Sequence, residues 1–131
     1  MHHSLKISIE KIKNGQARHL FALSKCTNLI HLLSHELQSI CLSTPEIINL
    51  NRSSEKHIRS VFTQAICTGK PVIASGLETL SVDVLLITID YLAAIHQWNS
   101  NSFGIGISKE PIFHPVISHS ACWIENIPEY V

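Results

Sequence analysis

Hydrophobic positions in the first third of the chain change their spacing near residue 16. Apolar residues at positions 5, 7 and 9 alternate with polar ones, a period of two that predicts a short N-terminal strand. Asn14-Gly15 interrupts the chain, and from residue 16 to about residue 42 apolar positions recur every three or four residues, which predicts an amphipathic helix. Its apolar stripe comprises Leu23, Cys26, Ile30, Leu33, Leu37 and Ile40, and its polar face comprises Ser24, Asn28, His31, His35 and Gln38.

A second helix is predicted between two breaks in the pattern. Pro45 ends the first helix, because proline lacks an amide donor and restricts the residue before it. Residues 46–52 are predicted to form a loop or a short helical turn. Ser53 is a suitable N-cap for the next helix, which Gly69 and Pro71 then terminate. Its predicted buried face comprises Ile58, Val61, Phe62, Ala65 and Ile66.

The segment from about residue 77 to residue 98 is apolar on nearly every side, and its length favours a central buried helix over a strand. Phe103, Ile105 and Ile107 then alternate with small residues as in a strand, and residues 112–117 are predicted to return beside it. The sequence thus predicts one compact domain over residues 1–131, of α+β class and predominantly α. We expect three main helices packed around the central apolar helix, with a short N-terminal strand and a small C-terminal β hairpin.

Composition adds a surface argument to this picture. The chain has 131 residues, of which 45% are hydrophobic and 15% charged, against a usual charged fraction of about 25%. So few charges leave apolar surface exposed, which favours a protein partner or self-association. Ten basic residues balance ten acidic ones and are scattered along the chain, which argues against nucleic acid as a partner.

The cysteines and the apolar segments bear on the compartment. Cys26, Cys41, Cys67 and Cys122 form no C-x-x-C pair, and the first 25 residues lack the pattern of a secretory signal. The most apolar stretch, residues 82–95, is too short to span a bilayer and contains two aspartates. We therefore expect a cytoplasmic protein with reduced thiols and no membrane partner.

Two groups of residues have the spacing of metal ligands. His31 and His35 lie one helical turn apart and their rings can converge on one ion, but the H-E-x-x-H order is absent. His114, His119 and Cys122 form an H-x4-H-x2-C cluster that lacks a fourth nearby ligand. For both groups the competing interpretation is structural, with solvated histidines and a cysteine packed in the domain. No cofactor is predicted.

The sequence contains no assembled catalytic motif. No serine lies in a G-x-S-x-G elbow, and Gly104-Ile105-Gly106 lacks the third glycine and lysine of a phosphate-binding loop. Two glycines in a strand more often mark a bulge or a close backbone approach. Asp83 and Asp90 interrupt the central helix seven residues apart, so that both can project from one face. They are candidate binding residues, and whether the protein is an enzyme stays open.

The favoured interpretation is a small protein-binding domain, of the inhibitor or immunity type that neutralises a cognate toxin or effector by direct contact. Low charge and the absence of a catalytic set support it. The predicted contact surface combines Asp83 and Asp90 with the C-terminal aromatic residues Phe113, Trp123 and Tyr130, since aromatic residues favour binding hot spots. One alternative is a small metal-binding domain or enzyme that uses the His and Cys residues above. Another is a homo-oligomer that covers its own apolar surface.

Overall fold

The computed structural model describes residues 10–11, 14, 19–23, 29–41, 44–99, 101–110 and 121–125. The strands are β1 (His19–Leu23), β2 (Glu46–Asn49), β3 (Val72–Ser75), β4 (Gly104–Ser108) and β5 (Ala121–Glu125). The helices are α1 (Leu29–Cys41), α2 (Glu55–Thr68) and α3 (Val82–Trp98), and 3-10 turns at Leu50–Arg52 and Leu77–Thr79 follow β2 and β3. The chain thus combines helices with strands, as the sequence predicts.

All five strands belong to one parallel sheet with the order β2-β3-β4-β1-β5. The first strand lies inside the sheet: His19 is opposite Gly104 on one side and opposite Ala121 on the other. Because every strand points the same way, the sheet has one amino edge, where the strands begin, and one carboxyl edge, where they end.

Helices cover both faces of the sheet, and this explains why the inner strands are apolar throughout. Leu33 and Leu37 of α1 pack with Ile105 on one face. Phe62 of α2 and Leu92 of α3 belong to the cluster on the other face. Strands buried on both sides are typically continuous apolar runs without alternation. The protein is therefore a three-layer structure in which the sheet lies between α1 and the α2–α3 pair.

The glycines of β4 allow close packing against α3 at Gly104, and against Leu77 and Phe21 at Gly106. A Cβ atom on Gly104 would lie 2.4 Å from Leu92 Cδ2 and 3.0 Å from Leu92 Cα. A Cβ atom on Gly106 would lie 2.7 Å from Leu77 Cδ1 and 2.9 Å from the ring of Phe21. All four distances are below normal van der Waals contact, so these two glycines mark a close approach of the strand to its neighbours, which is one of the two explanations that the sequence offers.

The ends of α2 follow the local sequence closely. Ser54, one residue after the expected cap, has an extended backbone and its side chain accepts a hydrogen bond from the His57 amide at 3.2 Å. Gly69 adopts the left-handed conformation (φ 71°) that ends the helix, as its position before Pro71 predicts. The residues Ile58, Phe62 and Ala65 are buried as expected.

The predicted hairpin is wrong. Both sides of β4 are occupied by parallel neighbours, β3 and β1, so no antiparallel strand can pair with it. The predicted return strand at 112–117 and the predicted N-terminal strand at 5–9 lie outside the described residues. The central element is also different: the sheet, and not the apolar helix, occupies the middle of the molecule.

The two long predicted helices begin later than expected. The first helix starts at Leu29 and not at residue 16, because the segment His19–Leu23 is the buried strand β1. The apolar helix α3 starts at Val82, after the 3-10 turn at Leu77–Thr79. Among the helices that the structure describes, none has the length and apolar character needed to cross a membrane.

Candidate ligand-binding site at the carboxyl edge of the sheet

The chain leaves β1 and β3, the two strands on either side of β4, towards opposite faces of the sheet. After β1 it continues into α1, which packs on one face. After β3 it continues into α3, which packs on the other face, and β4 lies between these two strands. In open parallel sheets a crevice forms at the carboxyl edge where the connections diverge in this way, and ligands bind there.

A cavity of about 290 Å³ lies at this position. Its walls come from the first turn of α1 and from the residues that end or follow β2, β3 and β4. The polar side chains that line it are Asn49, Asn51, Ser75, Glu78, Thr79 and Lys109, and the remaining lining residues are Leu29, Ile30, Gly76 and Ile107. The volume lies near the lower end of the range of small-molecule sites, roughly 300–1,000 Å³.

The turn after β2 is held in place by its own polar groups. Asn49 accepts a hydrogen bond from the Asn51 amide through Oδ1 at 3.1 Å, and Ser53 donates to the Asn49 carbonyl oxygen at 2.8 Å. Gly76, with φ 86°, lies against this turn: a Cβ atom there would come within 3.3 Å of the Asn51 nitrogen. A left-handed glycine thus keeps this part of the cavity free of a side chain.

Glu78 is the most unusual polar residue of the cavity wall. It lies in the 3-10 turn after β3, where Thr79 Oγ1 donates to the carbonyl oxygen of Gly76 at 2.6 Å. The Glu78 side chain is half-buried, and its Oε2 atom is buried without a hydrogen-bond partner among the described residues. A buried carboxylate oxygen without a donor is costly, so the Glu78 carboxylate has hydrogen-bonding capacity that the described residues do not use.

A positively charged side chain lines the same cavity. Lys109 follows β4, is exposed, and forms no ion pair with any residue that the structure describes. The first turn of α1, with Leu29 and Ile30 on the wall, adds the partial positive charge of a helix N-terminus. Basic and acidic groups therefore both line one small cavity.

Polar side chains at the amino edge of the sheet serve the fold. Asn99 donates through Nδ2 to the carbonyl oxygen of Ile66 at 2.9 Å, and the buried Ser102 donates to the carbonyl oxygen of Ala65 at 3.0 Å. The Ile66 bond satisfies a carbonyl group in the last turn of α2, whereas the Ala65 carbonyl oxygen also accepts from the amides of Gly69 and Lys70 at 2.8 and 3.1 Å. Asn99 Oδ1 also accepts from the Asn101 amide at 3.0 Å.

The predicted binding residues Asp83 and Asp90 do not line this cavity. Both are exposed on the outer face of α3, seven residues apart as the sequence indicates. Asp90 borders a second, largely apolar depression of about 460 Å³, the helix groove, between α2 and α3. The other residues of the helix groove are Ile66, Ile87, Tyr91, Ala94, Ile95 and Trp98.

The C-terminal aromatic residues cannot be placed in one surface. Trp123 lies in β5, the edge strand opposite β2, and the structure describes its backbone only. Phe113 and Tyr130 lie outside the described residues. A contact surface shared by these aromatic residues and the two aspartates therefore stays a prediction.

The predicted metal ligands receive no further support from the described residues. His31 and His35 are both exposed on α1, as predicted for its polar face. In the parts of the chain that the structure describes, no three His, Cys, Asp or Glu side chains are grouped to hold a metal ion. His114 and His119 lie outside those parts, and Cys122 lies in β5 with only its backbone described. The metal alternative stays a prediction.

Sequence reasoning missed the carboxyl-edge cavity, although a signal for it exists. Asn49, Ser75-Gly76 and Lys109 each follow a short apolar run, namely Ile47-Ile48, residues 72–74 and residues 105–107. If these runs are taken as parallel strands, the residues after them must meet at one edge of the sheet. Their separation in sequence hides this proximity from any search for a local motif.

Comparison with known proteins identifies no relative that would assign this site. No family model matches the chain, and no curated protein matches it either.

Proposed function

We propose that the protein binds a small polar molecule in the cavity at the carboxyl edge of its parallel sheet. The observation that carries the proposal is the coincidence of the cavity with the point where the connections from β1 and β3 diverge to opposite faces. The lining supports it, since several polar groups and a few apolar residues surround a small space.

The test is a ligand screen with a variant that fills the cavity. Asn51 is an exposed lining residue whose side chain forms no hydrogen bond with the described residues, so Asn51→Trp introduces bulk without removing a fold contact. Arg52→Trp, at the adjacent exposed position outside the cavity, is the matched control. Polar metabolites that raise the melting temperature of the wild-type protein are expected to stabilise Arg52→Trp equally, because ligand binding to the folded state stabilises it.

Asn51→Trp is expected to lose this stabilisation while it retains the fold by circular dichroism. If the same metabolites stabilise Asn51→Trp as much as the wild type, they bind elsewhere and the assignment of the cavity is wrong. If no polar metabolite stabilises or shifts the wild-type protein, the proposed function is wrong.

A second candidate function is the inhibitor-type or immunity-type protein binding that the sequence favours, and the helix groove is the observation that supports it. Trp98, which is 75% exposed, borders this groove together with Asp90. Asp90 forms no ion pair with any described residue, so a basic side chain of a partner can complement it. The occupant that fits is a segment of another protein with apolar side chains and one Lys or Arg facing Asp90.

This candidate requires a purified partner and two variants. Trp98→Ser is expected to weaken the purified complex, whereas Val82→Ser, at an exposed apolar position of α3 outside the helix groove, is expected to leave it unchanged. Equal effects of the two variants would show that the partner does not use the helix groove. Concentration-dependent sedimentation of the protein alone would instead indicate that a second copy occupies it.

A further inference from the structure

The chemical class of the ligand can be inferred from two charged side chains of the cavity, an inference that rests on the proposed function. Glu78 contributes a carboxylate whose Oε2 atom is buried and has no hydrogen-bond donor among the described residues. Because Glu78 lines the cavity and has no ion-pair partner among the described residues, its carboxylate can accept a donor from a ligand, and a cationic donor binds a carboxylate most strongly.

Lys109 contributes the opposite charge to the same cavity. Its ammonium group is not in ion-pair contact with Glu78 or with any other carboxylate that the structure describes. Opposite charges within 4 Å would have neutralised each other and left the cavity without a charge preference. Because they remain apart, each is free to bind a group of opposite charge.

Neutral lining groups lie beside the two charged ones. Asn51 adds an amide and Ser75 a hydroxyl, and Ser75 Oγ makes only a long contact of 3.5 Å with the Ile48 carbonyl oxygen. The partial positive charge at the start of α1 reinforces Lys109 and not Glu78, because it also attracts an anion. The cavity thus has a separate preference for a cation and for an anion.

We propose that the ligand is a small zwitterion, such as an amino acid, with its ammonium group on Glu78 and its anionic group on Lys109. The volume of about 290 Å³ is sufficient for a molecule of this size. The assignment concerns binding and involves no covalent step.

The experiment is an NMR titration of the full-length protein that follows the amide signals of Gly76 and Lys109. The probes are the common α-amino acids, β-alanine, 4-aminobutyrate and phosphoethanolamine. Two singly charged molecules serve as controls: butyrate has only the carboxylate, and butylamine has only the ammonium group. We expect at least one zwitterion to shift both signals, with an affinity about tenfold or more above that of either control.

Three variants distinguish the roles of the two charges. Glu78→Gln keeps the shape of the side chain and is expected to weaken zwitterion binding roughly ten- to a hundredfold while butyrate binding is kept. Lys109→Met is expected to weaken both the zwitterion and butyrate. Lys56→Met, at an exposed position of α2 outside the cavity, is the control and is expected to change neither.

The outcomes separate this inference from the function on which it rests. If neutral or singly charged molecules shift the Gly76 signal and zwitterions bind with no higher affinity, the ligand class is wrong and the proposed function stands. The ligand class is also wrong if Glu78→Gln and Lys109→Met leave zwitterion binding unchanged. If no probe and no polar metabolite shifts the signals of the cavity, both the class and the function are wrong.

Discussion

The two edges of the parallel sheet carry similar polar residues but use them differently. At the amino edge, Asn99 and Ser102 donate hydrogen bonds to the last carbonyl groups of α2, and Lys70 lies 3.7 Å from the Glu46 carboxylate. At the carboxyl edge, Lys109 has no ion-pair partner and Glu78 Oε2 has no donor among the described residues. A lysine and a glutamate thus lie in ion-pair contact at the amino edge, whereas Lys109 and Glu78 at the carboxyl edge have no ion-pair partner among the described residues.

Because of this difference, we expect substitutions at the amino edge to change stability and substitutions at the carboxyl edge to change ligand binding. Removal of Asn99 takes away the side-chain donor of the Ile66 carbonyl oxygen, and loss of a donor to a partly buried carbonyl destabilises the folded state. A side chain with no partner in the protein can be removed with little change in the free energy of unfolding. The affinity for any ligand that it contacts is expected to fall. The following three predictions test this contrast between the edges, in order of the effect expected on stability.

The largest effect is expected at the start of β4, on the amino edge. Gly104→Ala would place a Cβ atom 2.4 Å from Leu92 Cδ2 and 3.0 Å from Leu92 Cα, so that α3 must move away from the sheet. Overpacking of this kind costs about 1–3 kcal/mol. The midpoint of urea unfolding would measure the loss, with the slope of the transition unchanged.

A double variant checks the cause of that loss. The double variant with Gly104→Ala and Leu92→Ala lacks the side-chain atom in conflict. Its loss of unfolding free energy should therefore be smaller than the sum of the losses in the two single variants. Strict additivity would mean that Leu92 is not the obstacle and that the packing of α3 on β4 differs from the one described.

An intermediate effect is expected for the cap of α2. Asn99→Ala removes the hydrogen bond to the Ile66 carbonyl oxygen and the one from the Asn101 amide, at 2.9 and 3.0 Å. Two neutral hydrogen bonds correspond to about 1–2 kcal/mol of unfolding free energy. Gln97→Ala, an exposed neighbour on α3, is the control and should change the stability by less than about 0.5 kcal/mol. Equal losses in the two variants would contradict a capping role for Asn99.

The smallest effect on stability is expected at the carboxyl edge. Lys109→Met removes an exposed charge with no ion-pair partner among the described residues, so its unfolding free energy should stay within about 0.5 kcal/mol of the wild type. Chemical denaturation without ligand measures this directly. A loss of several kcal/mol would show that Lys109 supports the fold, and the contrast between the two edges would no longer hold.

The parts of the fold that the sequence predicts are those that local patterns determine. The helix α2 follows from its cap, its buried stripe and its terminal glycine, and α1 follows from the spacing of Leu33 and Leu37. The alternation of Phe103, Ile105 and Ile107 predicts β4 as a strand, but the sequence does not predict β1 or β3, because residues buried on both faces show no alternation. His19–Leu23 was assigned to the first helix for this reason, and Val72–Ser75 offers only four residues.

The candidate site was less predictable than the fold. Asp83 and Asp90 were selected because they interrupt an apolar helix, and their exposure on its outer face accounts for that interruption without any cavity. No comparable contrast between a polar residue and apolar sequence neighbours distinguishes Glu78, Lys109 or Asn51. What distinguishes them is the order of strands in the sheet, which depends on pairing between distant segments and leaves no local trace.

The position of β1 inside the sheet also has a kinetic consequence. Its two neighbours, β4 and β5, come last in sequence among the described strands, and His19 must find Gly104 across most of the sequence. Contacts between distant segments are slow to form, since the entropy of closing the intervening loop opposes them. We therefore expect β2 and β3 to pair early and β1 to join late, so that its apolar edges are exposed to aggregation until the C-terminal strands arrive.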